Sequence, residues 1–273
     1  MHTVCPSLTR REYILVTRIQ VKWNVVTAKK DHIGICSTVQ EQEIVHETDL
    51  GYHAASIQIP FSMERDFMIQ PVLACLDLEG VLIPEIWINV AEKTGIADLR
   101  LTTRDVPDYG ALMKRRLGIL DQHKLGLPDI QSVIGAMRPL DGAAEFLGWL
   151  RERCQVIIVS DTFSEFALPL MRQLGYPTIF CNRLEVDATG RIVNYHLRQP
   201  DQKRASVLAF KSLQFRILAT GDAYNDTSML GAADAGVFFR PPDAVAKQFP
   251  QFPVVQTYEG LKEQFRKSGP LNE

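Results

Sequence analysis

Nine residues, Ala74-Cys75-Leu76-Asp77-Leu78-Glu79-Gly80-Val81-Leu82, constrain the fold more than any other stretch. An apolar run of buried-strand character ends in two acids, and a glycine then releases the chain. Because side chains alternate along a strand, Asp77 and Glu79 are expected to point one way at its end and Leu78 the other. That places two carboxylates at the carboxyl edge of a sheet, the edge where open α/β sheets bind their ligands. Taken alone, the stretch is equally a strand followed by an acidic turn, so the rest of the chain must decide.

Downstream, strand and helix patterns alternate. Residues 84–137 carry three helical stripes: one with Ile86, Trp87, Val90 and Ala91 closed by Gly95, one with Leu112, Met113, Leu117 and Leu120, and one opened by Pro128. Then follow a helix at 141–153, a strand at 156–159 ending in Ser160-Asp161-Thr162, and a helix at 165–174 closed by Gly175. A strand at 178–180 precedes a hairpin over 183–198 that turns at Asp187-Ala188-Thr189-Gly190. A helix at 203–211 leads to a strand at 216–219, which runs into Gly221-Asp222-Ala223-Tyr224-Asn225-Asp226. A helix at 227–233, a strand at 236–239 and a last helix at 258–267 complete the series. This alternation predicts an α/β fold, a doubly wound parallel sheet covered on both faces. The helical block at 84–137 is expected to be a small inserted cap on a core made of 68–83 and 138–273, excluding water and supplying specificity contacts.

Residues 1–67 have a different character. Residues 12–25 are strand-like, but no period persists after them and no motif stands out. They are expected to be an N-terminal extension, poorly structured or upstream of a native start at Met68, with a small β appendage as the alternative.

Composition narrows the chemistry. With 273 residues, 46% of them hydrophobic, the chain can bury a sizeable core, and a net charge of −2 provides no field to attract nucleic acid or an acidic membrane. Five scattered cysteines without CxxC spacing argue against a disulfide framework or a zinc site and fit a reducing cytoplasm. No apolar run is long enough to span a bilayer. Nucleotide-binding signatures of the GxxxxGK[ST] or strand-linked GxGxxG type are missing.

Three strand ends therefore carry the polar residues: Asp77/Glu79, Ser160 and Asp222/Asp226. In a doubly wound sheet such ends converge on one crevice. Several carboxylates there need a counterion, and a hard divalent cation such as Mg²⁺, held by carboxylates, a carbonyl and a phosphate oxygen, meets that need. Asp77 and Asp222 are the best ligand candidates, with the Glu79 carbonyl as a third, and Asp226 binds a metal water or orients its neighbours. Ser160 offers a hydroxyl and adjacent N–H groups at an expected helix N-terminus, and Lys203 could neutralise the same phosphate.

This ordered set resembles the haloacid dehalogenase-like phosphatase superfamily over residues 72 to about 240. The resemblance implies that Asp77 is a nucleophile phosphorylated to an aspartyl-phosphate, that Glu79 is the general acid and then base, that Ser160, Asp161, Thr162, Lys203 and Asn225 line the phosphoryl site, and that Asp77, Glu79, Asp222 and Asp226 serve Mg²⁺. Cys181-Asn182-Arg183-Leu184 and Lys114-Arg115-Arg116-Leu117 are similar to the phosphoserine phosphatase group, which implies that Glu85 meets the substrate amino group and Arg116 its carboxylate. Helix-end complementation for Glu85 and a solvated face for Arg116 are the structural alternatives. Glu79-Gly80 departs from the usual Asp followed by Ser or Thr. With Ser160-Asp161-Thr162-Phe163, it is similar to members that also transfer phosphate to homoserine. A homodimer is implied too. Two other functions remain open: a phosphatase of another small phosphomonoester, and an aspartate-phosphorylated regulatory module, which the position of Asp77 and the 84–137 insertion disfavour.

Overall fold

The computed structural model describes residues 70–271 apart from 103, 104, 107 and 270, together with a short antiparallel ladder of Val45–His46 against His53–Ala54. The strand-like stretch at 12–25 lies outside the described residues, as does most of the N-terminal region.

Strand β1 (Val72–Leu76) is five buried residues at the centre of a seven-stranded sheet. Val72, Ala74 and Leu76 enter one core layer, while Leu73 and Cys75 enter the other, which is why the run shows no polar alternation. The remaining strands are β2 (Gln155–Phe163), β3 (Thr178–Val186), β4 (Ile192–His196), β5 (Arg216–Gly221), β6 (Ala235–Phe239) and β7 (Val254–Val255). Their order is β4-β3-β2-β1-β5-β6-β7, parallel throughout except for the β3–β4 hairpin at one edge. The chain starts at the centre, winds outward on one side and returns to build the other, so the direction of winding reverses between β1 and β5.

Helices α1 (Ile86–Thr94), α2 (Tyr109–Gln122) and α3 (Leu127–Ala136) form the block after β1. They are followed by α4 (Ala143–Arg151), α5 (Ser164–Met171), α6 (Gln202–Ser212), α7 (Thr227–Ala232), α8 (Asp243–Gln248) and α9 (Tyr258–Ser268). Local chemistry sets the ends in the first block. Gly95 takes φ 72° to close α1, Asp108 accepts the Ala111 N–H to open α2, and Asp129 accepts the Gly126 N–H ahead of α3. Phe146, Phe166, Leu261 and Phe265 from α4, α5 and α9 cover one face of the sheet; Val207, Met229, Leu230 and Val245 from α6, α7 and α8 cover the other.

Two differences from the sequence reading bear on the site. The second strand does not stop at Val159: β2 runs on to Phe163 and passes directly into the helix at Ser164, so Ser160 lies within the strand rather than at a helix N-terminus. The third strand and the first half of the hairpin are one element, β3, paired parallel to β2 and antiparallel to β4.

The turn after β1 is held from the far end of the chain. The buried Tyr258 hydroxyl on α9 donates to the Val81 carbonyl at 2.7 Å, and the Leu140 N–H donates to the Leu82 carbonyl at 2.9 Å. Tyr258→Phe leaves the Val81 carbonyl buried without that donor. It is expected to lower stability by about 1–3 kcal/mol, seen as a lower denaturation midpoint at unchanged slope in urea.

Candidate active site

Asp77 follows β1 directly, its N–H extending the pairing to the Thr220 carbonyl of β5 at 3.0 Å. Its side chain is 5% exposed, and Oδ1 accepts the Leu78 N–H at 2.8 Å and the Lys203 ammonium at 3.0 Å. Among the described residues no donor bonds Oδ2. Lys203 is buried in the first turn of α6, and its Nζ also lies 2.7 Å from Asp226 Oδ1 and 3.8 Å from Asp161 Oδ2. One ammonium thus joins residues that follow β1 and β5 to a residue of β2.

Asp226 is used on both oxygens: Oδ2 accepts the N–H groups of Asp222 at 3.0 Å and Ala223 at 2.9 Å. The loop needs a glycine before it, since a Cβ on Gly221 would stand 2.2 Å from Asp226 Cγ. Gly80 has a similar constraint. It takes φ +75°, and a Cβ there would lie 2.4 Å from the Asp222 carboxyl, so Asp222 is packed against bare backbone of the turn after Asp77.

Burial pushes the Asp77 carboxyl well above the usual carboxylate range, and the charges of Asp226 and Asp222 add to this against the pull of Lys203. For Lys203, burial disfavours the ammonium, but Asp226, Asp77 and Asp161 outweigh it and hold its pKa well above the ordinary lysine value. Asp161 is likewise opposed by burial, yet Lys203, Gln202 and Asn225 hold it below its usual range, so it is ionised. The carboxylates outnumber the cation, and the excess negative charge calls for another positive group.

Glu79 lies beyond the strand. The pairing of β1 ends at Leu76, Gly80 turns the chain, and Glu79 Oε2 instead accepts the Ile86 N–H at the start of α1 at 2.8 Å. Beyond the end of the ladder the two acids are held by different partners, Asp77 by Lys203 and the Leu78 N–H and Glu79 by the Ile86 N–H. Burial and the Glu85 charge raise the Glu79 carboxyl to about 8, against the Ile86 N–H and Arg116. Arg116 is 7% exposed, which excludes a solvated face. Its guanidinium stacks 4.5 Å from the Trp87 ring and donates to the Leu101 carbonyl at 2.8 Å, while Nε has no partner among the described residues. Glu85 caps α1 without a side-chain bond to the helix and is half-buried. A carboxylate and a buried guanidinium therefore share the neighbourhood of Glu79.

Ser160 and Thr162 are buried, and the Ser160 hydroxyl accepts the Thr162 N–H at 3.3 Å. Between the pairs Val159↔Phe180 and Phe163↔Asn182 the chain advances four residues on β2 but only two on β3. This bulge, rather than a helix N-terminus, turns residues 160–162 out of the regular ladder. The Asp161 carbonyl accepts from Asn182 at 2.9 Å and from the Tyr109 hydroxyl at 3.4 Å, which ties the loop to α2. Its carboxylate accepts from Asn225 Nδ2 at 2.8 Å and Gln202 Nε2 at 3.0 Å. Gln202, which the sequence reading passed over, also donates to the Ser160 carbonyl at 2.7 Å. Its only signal is its place beside Lys203.

Asp77, Asp222 and Asp226 each bring a carboxylate oxygen within 4.8 Å of the others. An all-oxygen set with excess negative charge, closed by a glycine backbone that leaves no space for a side chain, fits a hard divalent cation. Asp226 already serves Lys203 and two N–H groups, which leaves it little capacity to hold a cation directly. Among the described residues no helix is long and apolar enough to cross a membrane.

The haloacid dehalogenase-like hydrolase family matches residues 73–234. Over 196 residues, 72% of this chain, it is 65% identical to a phosphoserine phosphatase of Pseudomonas syringae pv. tomato, covering 83% of that protein. It is 62% identical to the phosphoserine phosphatase ThrH of Pseudomonas aeruginosa, with 72% of this chain and 96% of that protein covered. A solved phospho-aspartyl intermediate analogue of phosphoserine phosphatase superposes with a TM-score of 0.60 at 17% identity, over 71% of this chain and 98% of that one, a likeness of fold.

Because the Glu79 pKa is raised from 4.5 to about 8, the folded protein holds a proton there that the unfolded chain releases, and stability falls as pH rises through that window. Glu79→Gln removes the penalty. With chelator present, the variant is expected to match the parent near pH 4 and to exceed it at pH 8.5 by about 2 kcal/mol in denaturant titrations.

Proposed function

The chain belongs to the haloacid dehalogenase-like hydrolase family, and we propose that it is a Mg²⁺-dependent phosphoserine phosphatase working through an aspartyl-phosphate on Asp77. The observation that carries this reading is the state of Asp77: it sits at the winding reversal of the sheet with Oδ1 pinned by Lys203 and the Leu78 N–H, leaving Oδ2 to attack. Relatives above 60% identity that bear the name phosphoserine phosphatase support the substrate. In this reading residues 84–137 act as the cap over a core of 68–83 and 138–273.

Asp77 and Asp222, with the Glu79 carbonyl, would hold the cation, and Asp226 would orient them. Bound there, Mg²⁺ offsets the negative charge gathered on the phosphoryl oxygens. Lys203, Ser160 and the Asn225 amide donate to the same oxygens. Arg116 suits the substrate carboxylate, since its Nε remains unpaired on a buried guanidinium, and Glu85 suits the ammonium.

Asp77 Oδ2 attacks phosphorus as the bond to the serine oxygen breaks, and Glu79, protonated at neutral pH in the substrate-free protein, gives its proton to that oxygen. Serine leaves, and the Glu79 carboxylate then takes a proton from the acceptor hydroxyl. The acceptor oxygen attacks phosphorus, the bond to Asp77 breaks, and both acids return to their starting states. Water gives inorganic phosphate. Homoserine, also an amino acid with a hydroxyl, offers the same groups to Arg116 and Glu85, and its hydroxyl stands one methylene further out, as the carboxyl of Glu79 does relative to an aspartate. We therefore include transfer to homoserine in the proposal.

A phosphate-balance assay tests this: Mg²⁺-loaded protein and O-phosphoserine with and without homoserine, following free phosphate and phosphohomoserine together. Phosphohomoserine formed at the expense of phosphate is the expected result; phosphate alone removes the transferase half, and no turnover removes the substrate. Asp77→Asn is expected to lower turnover by at least about 10³-fold with the circular dichroism spectrum unchanged.

A further inference from the structure

The phosphoryl-binding loop carries a carboxylate where donors are wanted. Asp161 Oδ2 lies 2.8 Å from Asn225 Nδ2 and 3.8 Å from Lys203 Nζ, in contact with two of the groups that the phosphatase reading assigns to the phosphoryl oxygens. A carboxylate accepts and cannot donate, so the Asp161 side chain offers such an oxygen repulsion only. Nor is it free to swing away. Oδ1 is bonded by Gln202 Nε2 at 3.0 Å; Gln202 is 4% exposed and fixed in turn to the Ser160 carbonyl, and the Asp161 carbonyl is held by Asn182.

We infer that Asp161 is a built-in competitor of inorganic phosphate: a tethered anion that occupies Asn225 and flanks Lys203, weakens binding of the product and thereby speeds its release. The inference rests on the phosphatase reading of this site. Binding phosphate means taking an N–H of Asn225 from a charge-assisted hydrogen bond and placing an oxyanion beside a fixed carboxylate, and each lowers apparent affinity. The substrate suffers the same repulsion but has Arg116 and Glu85 to hold its other end, whereas the product has neither. Asp161 therefore acts against phosphate more than against phosphoserine.

A plain structural role for Asp161 predicts the opposite sign, since removing its bonds would loosen the loop and weaken phosphate binding. The test is calorimetric titration of inorganic phosphate into Mg²⁺-loaded protein, with product inhibition of phosphoserine hydrolysis measured alongside. Asp161→Asn and Asp161→Ser, which remove the charge and keep a polar group, are expected to bind phosphate about tenfold more tightly and to be inhibited by it at correspondingly lower concentration. Asp161→Glu, which keeps the charge, is expected to remain within about twofold of the parent. Unchanged or weaker phosphate binding in both charge-removing variants, with hydrolysis retained in the parent, overturns the inference alone. If the parent neither hydrolyses phosphoserine nor binds phosphate, the underlying reading fails and the inference falls with it.

Discussion

A single buried ammonium holds the site together. Lys203 reaches carboxylates on three segments that the chain visits far apart, Asp77, Asp161 and Asp226, and each is fixed again by backbone or amide donors. Lys203, Asp77 and Asp226 are buried, and taking such groups out of water is unfavourable unless they satisfy one another. The strand ends must therefore converge, because separation would strand buried charge. The sheet supplies the position: β1 is central, β2 and β5 flank it, and the apolar layers on both faces leave only the carboxyl edge for polar groups.

The arrangement divides labour between neighbouring acids by environment. Asp77 is held among cation and carboxylates, whereas Glu79, two residues on, faces the first helix, Glu85 and Arg116. One acid is therefore held by a lysine and further carboxylates, and the other by a helix N–H beside a carboxylate and a guanidinium. Gly80 makes the separation possible, because only a residue without Cβ can turn the chain there and let Asp222 close against it.

Much of this was legible in the sequence. Apolar runs that stop abruptly at acids mark strand ends, and alternating strand and helix patterns give a doubly wound sheet, so the convergence of Asp77, Ser160 and Asp222 could be expected. What failed was local geometry that depends on a partner. The bond from the Ile86 N–H to Glu79 could not be read, because it depends on where the first helix starts relative to the turn. The bulge at 160–162 was invisible because it is defined by register against β3. Gln202 looks like any amide at a helix start until the loop beneath it is known, and β7, two residues long, is too short to carry a period. Burial, which sequence supplies only indirectly, separated the two meanings of Arg116.

The bond from Tyr258 to the Val81 carbonyl spans 177 residues of chain. During synthesis the segment bearing Asp77 emerges early, yet β5, Asp222 and the last helix come much later. Until Lys203 emerges Asp77 lacks its ammonium partner, and until Tyr258 emerges the turn lacks its clamp. Local folding of the first strand and its helices cannot complete the site, because the closing contacts come from elements far downstream in the chain. Completion of the site is thus tied to a finished domain, and a nascent chain stalled before α9 would hold Asp77 in an unsecured turn.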